Sequence, residues 1–411
     1  MTTPFTLSNL PYGVISTASD PKLRCATAFE ANALELHALE EDGFFQDIPG
    51  FEGKSIFGQT YLNEFVVLPT ESHVEVRRRL TRFLISDSNS GNKYFTPLEM
   101  VTNHLPMNTY NFSDFYCSLE HAKNCAIVMG AKMQPSWFSV PSVYCSRTSS
   151  LQVSGTPVTR PRGVIQETLT STPVYAATRK LDFELEMGVI ISKPLPPGQR
   201  LTTKEAKDHI FGFVILNDWS SRDIQSFEMT PLGPFHSKGF MTSISPWIVT
   251  MEALECSETS RTIPQNPAPP PHLAWNGPSD CATFDIDLSV QIIRQRKCYQ
   301  VTSTNLKELY WTPYQQLTHL VSAGEPLTTG DIFGTGTISS DRVNDANEKI
   351  GLACLIERLA PQNQLSIMKQ DNLVFLEDGD EVIMEAWFVG QDDKRRGGFG
   401  TCRGTVKAAN L

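Results

Sequence analysis

The chain has 411 residues, 40% of them hydrophobic and 19% charged, with a formal net charge of -10. Such a length and composition describe an ordinary folded protein with a full core, divided into two domains or into one large domain with a smaller companion. The acidic balance, with no polybasic run and no basic patch carrying aromatics, argues against a nucleic-acid partner; no run of about 18 apolar residues suggests a membrane span.

The opening MTTPFTLSNLPYG has neither a basic head nor an apolar run, so no secretory signal is expected. Nine cysteines are scattered without a Cys-x-x-Cys pair, which predicts neither a disulfide framework nor a zinc site and points to a reducing, cytoplasmic setting. Residues 1–105 read as a first domain of short apolar runs such as GVIST, RCATAF and EFVVL, set between Pro, Gly and Asn. A helix is predicted over Glu71–Ile85, with Val74, Val76, Leu80 and Leu84 as its apolar side. The polar, turn-rich stretch SDSNSGNKYFTPLEMVTNHLP reads as a linker. Residues 106–411 then form the second domain, where the acid and histidine clusters lie.

In NFSDFYCSLEHAKNCAIVMGAK, Asp114, Tyr116 and His121 fall within eight residues, and Ser118–Ala131 can form a helix. His121 is an acid–base candidate by its intrinsic pKa, though a single histidine there is usually a core or surface residue. PSVYCSRTSS follows as a polar loop with Tyr144 and Arg147, and VSGTPVTRPRG supplies turns. LDFELEM, residues 181–187, alternates apolar and acidic residues in the period-two pattern of a strand, so Glu184 and Glu186 share one side. Two carboxylates side by side repel when partly buried, and a hard cation such as Mg²⁺ or Ca²⁺ removes that cost. The plain alternative is a solvated strand face.

Further on, Phe211–Leu216 reads as a buried strand ending in Asn217 and Asp218, before SSRDIQ opens a helix. Asp218 can serve as a third acid, as a helix cap, or both. Arg222 and Gln225 stand i, i+3 on one helical face. PLGPFHSKGFMTSISPW places Lys238 and Thr242 in a glycine-containing loop. Residues 257–282 form a Pro-rich surface excursion. FDIDLSVQIIR and DGDEVIMEAWFVG read as strands. NLKELYWTPYQQLTHLVSAG reads as one helix with Leu306, Leu309, Trp311, Leu317 and Leu320 inward. Thr337 is expected on a short strand, and Glu357 lies in ACLIERL. No nucleotide-binding glycine loop, serine elbow or zinc-protease motif is present.

LPYGVIST, DFY…H, VSGTP, LDFELEM, NDWSSRDIQ, PLGPF, ISPW, QQLTH, GTIS, DGDEV and GFGTC together resemble the fumarylacetoacetate hydrolase family over nearly the whole chain. The resemblance implies a mainly β fold with some α: an N-terminal SH3-like barrel, then the family's mixed β-sandwich roll, usually as a homodimer. It implies hydrolysis of a carbon–carbon bond in a 1,3-diketo acid, a step of tyrosine catabolism, through a metal enolate and a water activated by a His/Glu pair. By the same resemblance, Asp114, Glu184, Glu186 and Asp218 match the Mg²⁺ or Ca²⁺ carboxylates, and Lys238 and Thr242 lie near a second, smaller cation. His121 matches the general base and Glu357 the acid that orients it. Arg222, Gln225 and Lys238 match the groups around the oxyanion, and Tyr116, Tyr144, Gln225 and Thr337 match substrate contacts.

The chain departs from the family near the substrate. An arginine nine positions after the base is Gly130 here, and a tyrosine seven positions after Arg222 is Met229; in the family both bind the substrate's carboxylate end. YHGR is YCSR here, with Cys145 and Ser146, and two loop glycines become Ser237 and Met241. These changes raise the expectation of a diverged paralogue preferring a bulkier or neutral dicarbonyl. The activities expected of such a paralogue are those of a hydrolase, decarboxylase, isomerase or cyclase in secondary metabolism. A non-catalytic, metal-stabilised binding protein would have no need of His121, Glu357, Arg222, Gln225 and Lys238 together.

Overall fold

A computed structural model describes residues 3–86, 93–168, 170–277 and 280–410. The first unit is a five-stranded antiparallel sheet in the order Phe95–Pro97, Asn32–Glu35, Arg24–Phe29, Tyr12–Thr17, Val101–His104. Its two outer strands are joined by only the three-residue turn Leu98–Met100. Across a flat five-stranded sheet the edges stand about 19 Å apart, whereas four Cα–Cα steps of chain reach about 14 Å at most. The sheet is therefore curled. This segment was expected to be a linker; instead, both outer strands are ladder members, and residues 87–92 of the expected linker lie outside the described residues.

The expected helix spans Thr70–Ser86 and buries His73, Val76, Leu80 and Leu84. Val74 is exposed, contrary to expectation, because the inward stripe begins at His73. The His73 ring lies 5.0 Å from that of Phe65 and 5.2 Å from that of Phe211, and its Nε2 donates to the Phe65 carbonyl at 2.9 Å. Burial among these rings pulls its pKa below the usual histidine value, against the pull of the Phe65 hydrogen bond. The unfolded chain therefore takes up a proton near pH 6.5 that the folded chain refuses until lower pH, so stability falls as pH drops below that value. The melting temperature should decline less between pH 7 and 5 in His73→Gln than in the parent; equal declines would place the acid sensitivity elsewhere.

The central sheet runs Val143–Cys145, Phe112–Phe115, Ile332–Gly334, Leu185–Ile191, Ile210–Asp218, Thr242–Ile244, Leu151–Val153. Phe112–Phe115 pairs in parallel with Ile332–Gly334, from the far end of the sequence. A second five-stranded sheet, Lys297–Asn305, Ile286–Arg294, Glu381–Val389, Arg395–Lys407, Val158–Thr159, packs on one face. There Met187, Val189, Phe213 and Ile215 share a core with Leu288, Val290, Val382 and Met384. On the other face, Ile190, Phe211, Val214 and Leu216 share a core with Tyr12, Leu34 and Phe65 of the N-terminal unit. A sheet covered on both faces has no solvent side, so every residue of Leu185–Ile191 and Ile210–Asp218 is buried. By contrast, Ile286–Arg294 alternates buried and half-buried residues.

Two expectations change here. LDFELEM is not one strand: Leu181–Asp182 pairs with Ser220–Ser221, and the sheet strand begins at Leu185. The break arises because Asp182 accepts from the amides of Phe183, Leu355 and Ile356, while the Glu184 amide donates to the Asn217 side chain. NLKELYWTPYQQLTHLVSAG is not one helix either. It is a short turn, Leu306–Glu308, then the helix Pro313–Leu320, started by a capping box of Thr312 and Gln315 with Pro313 in its first turn. Mixed α/β, mostly β, describes the whole.

Candidate active site

At one end of the central sheet, the register brings the acids together. Asp114 pairs with Gly334, which is two strands from Leu216, the partner of Glu186. The absence of a side chain at Gly334 matters: a Cβ there would stand 2.6 Å from Glu186 Oε2 and 2.7 Å from Asp114 Oδ1. Single oxygens of Asp114, Glu184 and Asp218 lie within 4.8 Å of one another, all buried. Glu186 stands beside Asp114, its Oε2 accepting from the Gly336 amide at 2.9 Å. Lys238 Nζ donates to Asp218 at 2.6 Å and to Glu184, and Thr242 Oγ1 donates to Asp218 at 2.9 Å. Thr242 thus reaches the cluster through Asp218, and Lys238 through both Asp218 and Glu184. Thr242 opens a strand rather than lying in a loop. Tyr144, on the short strand Val143–Cys145 rather than in the expected loop, donates its hydroxyl to Asp114 at 2.8 Å and Asp218 at 3.1 Å.

The electrostatics are uneven. Burial, then the charges of Asp218 and Glu184, push the Asp114 carboxyl well above the usual range. Burial, then Asp114 and Glu184, do the same to Glu186. Glu184 is also penalised by burial, but Lys238 and Arg222 outweigh this and lower it to about 2. Asp114 Oδ1 and Glu186 Oε1 are buried and have no hydrogen-bond partner. A set of buried carboxylates with orphaned oxygens and like-charge repulsion fits a hard divalent cation; Asp114, Glu184 and Asp218 form a possible metal site, with Glu186 beside Asp114.

The second device adjoins it. His121 lies on the helix Leu119–Val128, capped by Ser118, whose side chain accepts from the His121 amide at 3.1 Å. Its Nδ1 is 3.1 Å from Glu357 Oε2, both side chains buried. Glu357 is held in turn by Ser339 at 2.6 Å and Asn124 at 3.0 Å. Burial disfavours the imidazolium of His121, but the surrounding Cys125, Glu357 and Cys354 outweigh it and raise the pKa. Glu357 is lowered to about 2, with burial opposed by His121, Ser339 and Asn124. Glu184 joins the two devices, because one of its oxygens also lies within 4.8 Å of ligand atoms of His121 and Cys354.

Arg222 heads the helix Arg222–Glu228 and pairs with Asp182 and Glu184, each at 2.8 Å; it donates to Gln225 at 3.1 Å. The Tyr116 ring lies 5.1 Å from that of His121. Thr337 is buried just past Ile332–Gly334, not on that strand. Gly130 and Met229 sit at the surface: Gly130 follows the His121 helix at φ +61° with open space where a Cβ would stand, and Met229 is 46% exposed.

Sequence reasoning missed Asp182 as the partner of Arg222, Ser339 and Asn124 as the holders of Glu357, and Cys125 and Cys354 beside His121. Cys125 could have been found, since it stands i+4 from His121 on one helical face. Nothing local announces Cys354 or Ser339.

Residues 8–106 match the family described as fumarylacetoacetase N-terminal, and residues 111–407 the family described as fumarylacetoacetate (FAA) hydrolase C-terminal. Among curated proteins, the chain is 37% identical over 418 residues to a fumarylacetoacetase of Arabidopsis thaliana, covering 98% of this chain and 95% of that one. It is 36% identical over 419 residues to the fumarylacetoacetase of Homo sapiens, covering 99% and 97%. Among solved structures, it is similar to a fumarylacetoacetate hydrolase from psychrophilic Exiguobacterium antarcticum, at a TM-score of 0.52 and 17% identity over 97% of this chain and 99% of the other. It is also similar to a 2-hydroxyhepta-2,4-diene-1,7-dioate isomerase from Mycobacterium marinum, at 0.52 and 14% over 98% and 100%. At those identities the structural likeness concerns the fold.

Proposed function

The chain belongs to the fumarylacetoacetate hydrolase family, and on that premise we propose that it hydrolyses the carbon–carbon bond of fumarylacetoacetate or a closely similar 1,3-diketo acid. The observation that carries this reading is that a buried carboxylate cluster adjoins the His121–Glu357 pair, with an oxygen of Glu184 within 4.8 Å of a ligand atom of His121. A metal site alone needs no oriented histidine, and an oriented histidine alone needs no cluster of acids.

A Mg²⁺ or Ca²⁺ ion held by Asp114, Glu184, Glu186 and Asp218 would supply Lewis acidity to the two oxygens of a 1,3-dicarbonyl. His121 donates Nδ1–H to Glu357, which leaves Nε2 to take a proton from water as that water adds to one carbonyl carbon. Lys238 and Arg222, with Gln225 beside them, offer positive charge and N–H donors to the oxyanion. One good donor is worth about 3–4 kcal/mol there. The bond from that carbon to the neighbouring methylene then breaks, and the proton on His121 passes to the methylene carbon. Tyr144 and Lys238 line a cavity of about 340 Å³ together with Arg147 and Phe235.

Arg147 is exposed at that cavity, its guanidinium 5.3 Å from the Phe235 ring centre. We assign it the substrate's carboxylate end, in place of the family's residues at positions 130 and 229. A charge-assisted hydrogen bond contributes about 1.5–3 kcal/mol, so Arg147→Ala should raise KM for fumarylacetoacetate roughly ten- to hundredfold with little change in kcat. The open space at Gly130 favours a second reading, a bulkier or neutral dicarbonyl. Turnover of fumarylacetoacetate, followed by loss of its enol absorbance and abolished by EDTA, decides between them. Rapid hydrolysis unimproved by Gly130→Arg/Met229→Tyr supports the first; slow hydrolysis strongly improved by that pair supports the second.

The same premise leads us to divide the chain near residue 105 and to read the curled N-terminal sheet as an SH3-like barrel. It also leads us to propose a cytoplasmic homodimer. Exposed Phe227, Leu232 and Phe235 favour contact with a second copy.

A further inference from the structure

The ammonium of Lys238 is held by two acids, but the chain leading to it is held by a half-buried glutamate outside the cluster. Glu228 ends the helix that Arg222 begins. Its carboxylate turns to the loop before Lys238 and accepts from three consecutive amides, Phe235 at 2.7 Å, His236 at 3.0 Å and Ser237 at 2.8 Å, and from the Ser237 hydroxyl at 2.5 Å. Successive amides aimed at one point form a cradle for an anion, and an ionised acceptor makes the stronger hydrogen bonds. Burial works against the Glu228 charge, but Ser237 and the amides of Phe235 and His236 outweigh it and hold the carboxyl below its usual range.

The same loop residue is tied from the other end of the helix. Ser221, just before Arg222, donates its amide to the Ser237 carbonyl at 3.0 Å and its hydroxyl to the same oxygen at 3.3 Å. Both ends of one short helix therefore grip the residue next to Lys238. Arg222 and Gln225 ride on that helix, so the three groups offered to the oxyanion belong to one cross-tied unit. The Lys238 ammonium is fixed by ion pairs with Glu184 and Asp218. A cation held by those two acids would compete for the same oxygens, which leaves the backbone tie to keep Lys238 in place. We propose that Glu228 is a positioning residue of the hydrolytic site: it clamps residues 235–237 so that Lys238 stays in register with Arg222 and Gln225. The oxyanion role rests on the hydrolytic reading; the clamp on Lys238 does not.

The test uses the full chain with excess Mg²⁺. Competitive acetylation with acetic anhydride, read by mass spectrometry, compares Lys238 with exposed lysines such as Lys394. Lys238 should label at least about fivefold faster in Glu228→Ala than in the parent, because the loop opens locally. Turnover number for fumarylacetoacetate should fall about ten- to a hundredfold, the scale of a small misplacement of a catalytic group. Glu228→Gln, whose amide oxygen can still accept from Phe235 and Ser237, should stay within about threefold of the parent in both readouts. Glu228→Asp keeps the charge but falls one methylene short of the loop; it should follow Glu228→Ala, and it is read instead if the alanine form folds poorly. In a Lys238→Met background, Glu228→Ala should cost kcat less than about threefold, since the side chain it positions is gone. Parent-like labelling of Lys238 in Glu228→Ala and Glu228→Asp overturns the clamp. Faster labelling with unchanged kcat overturns its catalytic meaning. Equal losses of kcat with and without Lys238 also overturn the proposal, because Glu228 then supports the fold at large. A parent that leaves fumarylacetoacetate intact sinks the hydrolytic reading, while the labelling still decides the clamp.

Discussion

Asp114→Asn is expected to lower turnover by about a thousandfold or more while raising the melting temperature of protein stripped of divalent cations. The loss follows from the Lewis-acid contribution of a bound ion, several kcal/mol at about 1.36 kcal/mol per tenfold in rate. The gain follows from the folded state's distaste for the Asp114 charge. Burial, then Asp218 and Glu184, hold this carboxyl well above its usual range. A carboxyl raised on folding contributes stability below the unfolded value near pH 3.9, and that stability is lost as pH rises toward the folded value. Metal-free parent should therefore weaken from pH 4 toward neutrality at this group, and Asp114→Asn should not. The neutral amide still accepts from Tyr144. Mg²⁺ or Ca²⁺ reverses the order: a hundredfold excess over Kd stabilises the parent by about 2.7 kcal/mol and the variant far less. Melting curves with EDTA and with each ion, beside turnover, read all of this. Parent-like turnover in the variant, or a parent indifferent to both ions, would remove the carboxylate cluster from the mechanism.

His121→Ala and Glu357→Gln should each reduce kcat by about 10²- to 10⁴-fold with KM little changed, since a positioned acid–base group contributes on that scale. Glu357→Gln tests geometry as well as charge. The carboxylate accepts from Asn124, Ser339 and the His121 Nδ1–H together. An amide cannot accept at both ends. If its NH₂ faces Asn124, two donors collide; if it faces His121, the imidazole must carry its proton on Nε2, where it cannot take one from water. Removing the negative charge also removes support for the imidazolium, so any residual activity should titrate at lower pH than in the parent. Full turnover in His121→Ala would end the hydrolytic assignment and leave chemistry that needs only the cation and Lys238.

Much of this site was legible from the sequence because its residues sit at the ends of well-signalled elements. Phe211–Leu216 is a plain apolar run, so Asp218 at its end could be placed. The fold was harder where tertiary contacts overrode local pattern. LDFELEM alternates like a surface strand, yet both faces are buried, and Asp182 is drawn aside by the amides of Leu355 and Ile356, far away in the chain. The stretch ending in His104 looks like a linker because its polar residues pair at the outer edges of a sheet, where composition resembles that of a loop. Thr312 and Pro313 are a start signal that the apolar spacing around them hid. The holders of Glu357 were not readable, because Ser339 and Asn124 are ordinary polar residues until folding sets them beside a buried acid.

The parallel pairing of Phe112–Phe115 with Ile332–Gly334 also carries a consequence for biogenesis. A ribosome adds about 5–20 residues each second, so the strand bearing Asp114 waits roughly ten to forty seconds for its neighbour to be translated. Through that interval it can form its hairpin with Val143–Cys145, but its other edge stays open to any passing strand. A nascent chain halted before residue 332 would hold Glu186 and Asp218 on adjacent strands of one partial sheet, with Glu184 just ahead of it and Asp114 outside it. Chaperone engagement during elongation, measured on chains stalled on either side of residue 334, should therefore drop sharply once that glycine has cleared the exit tunnel.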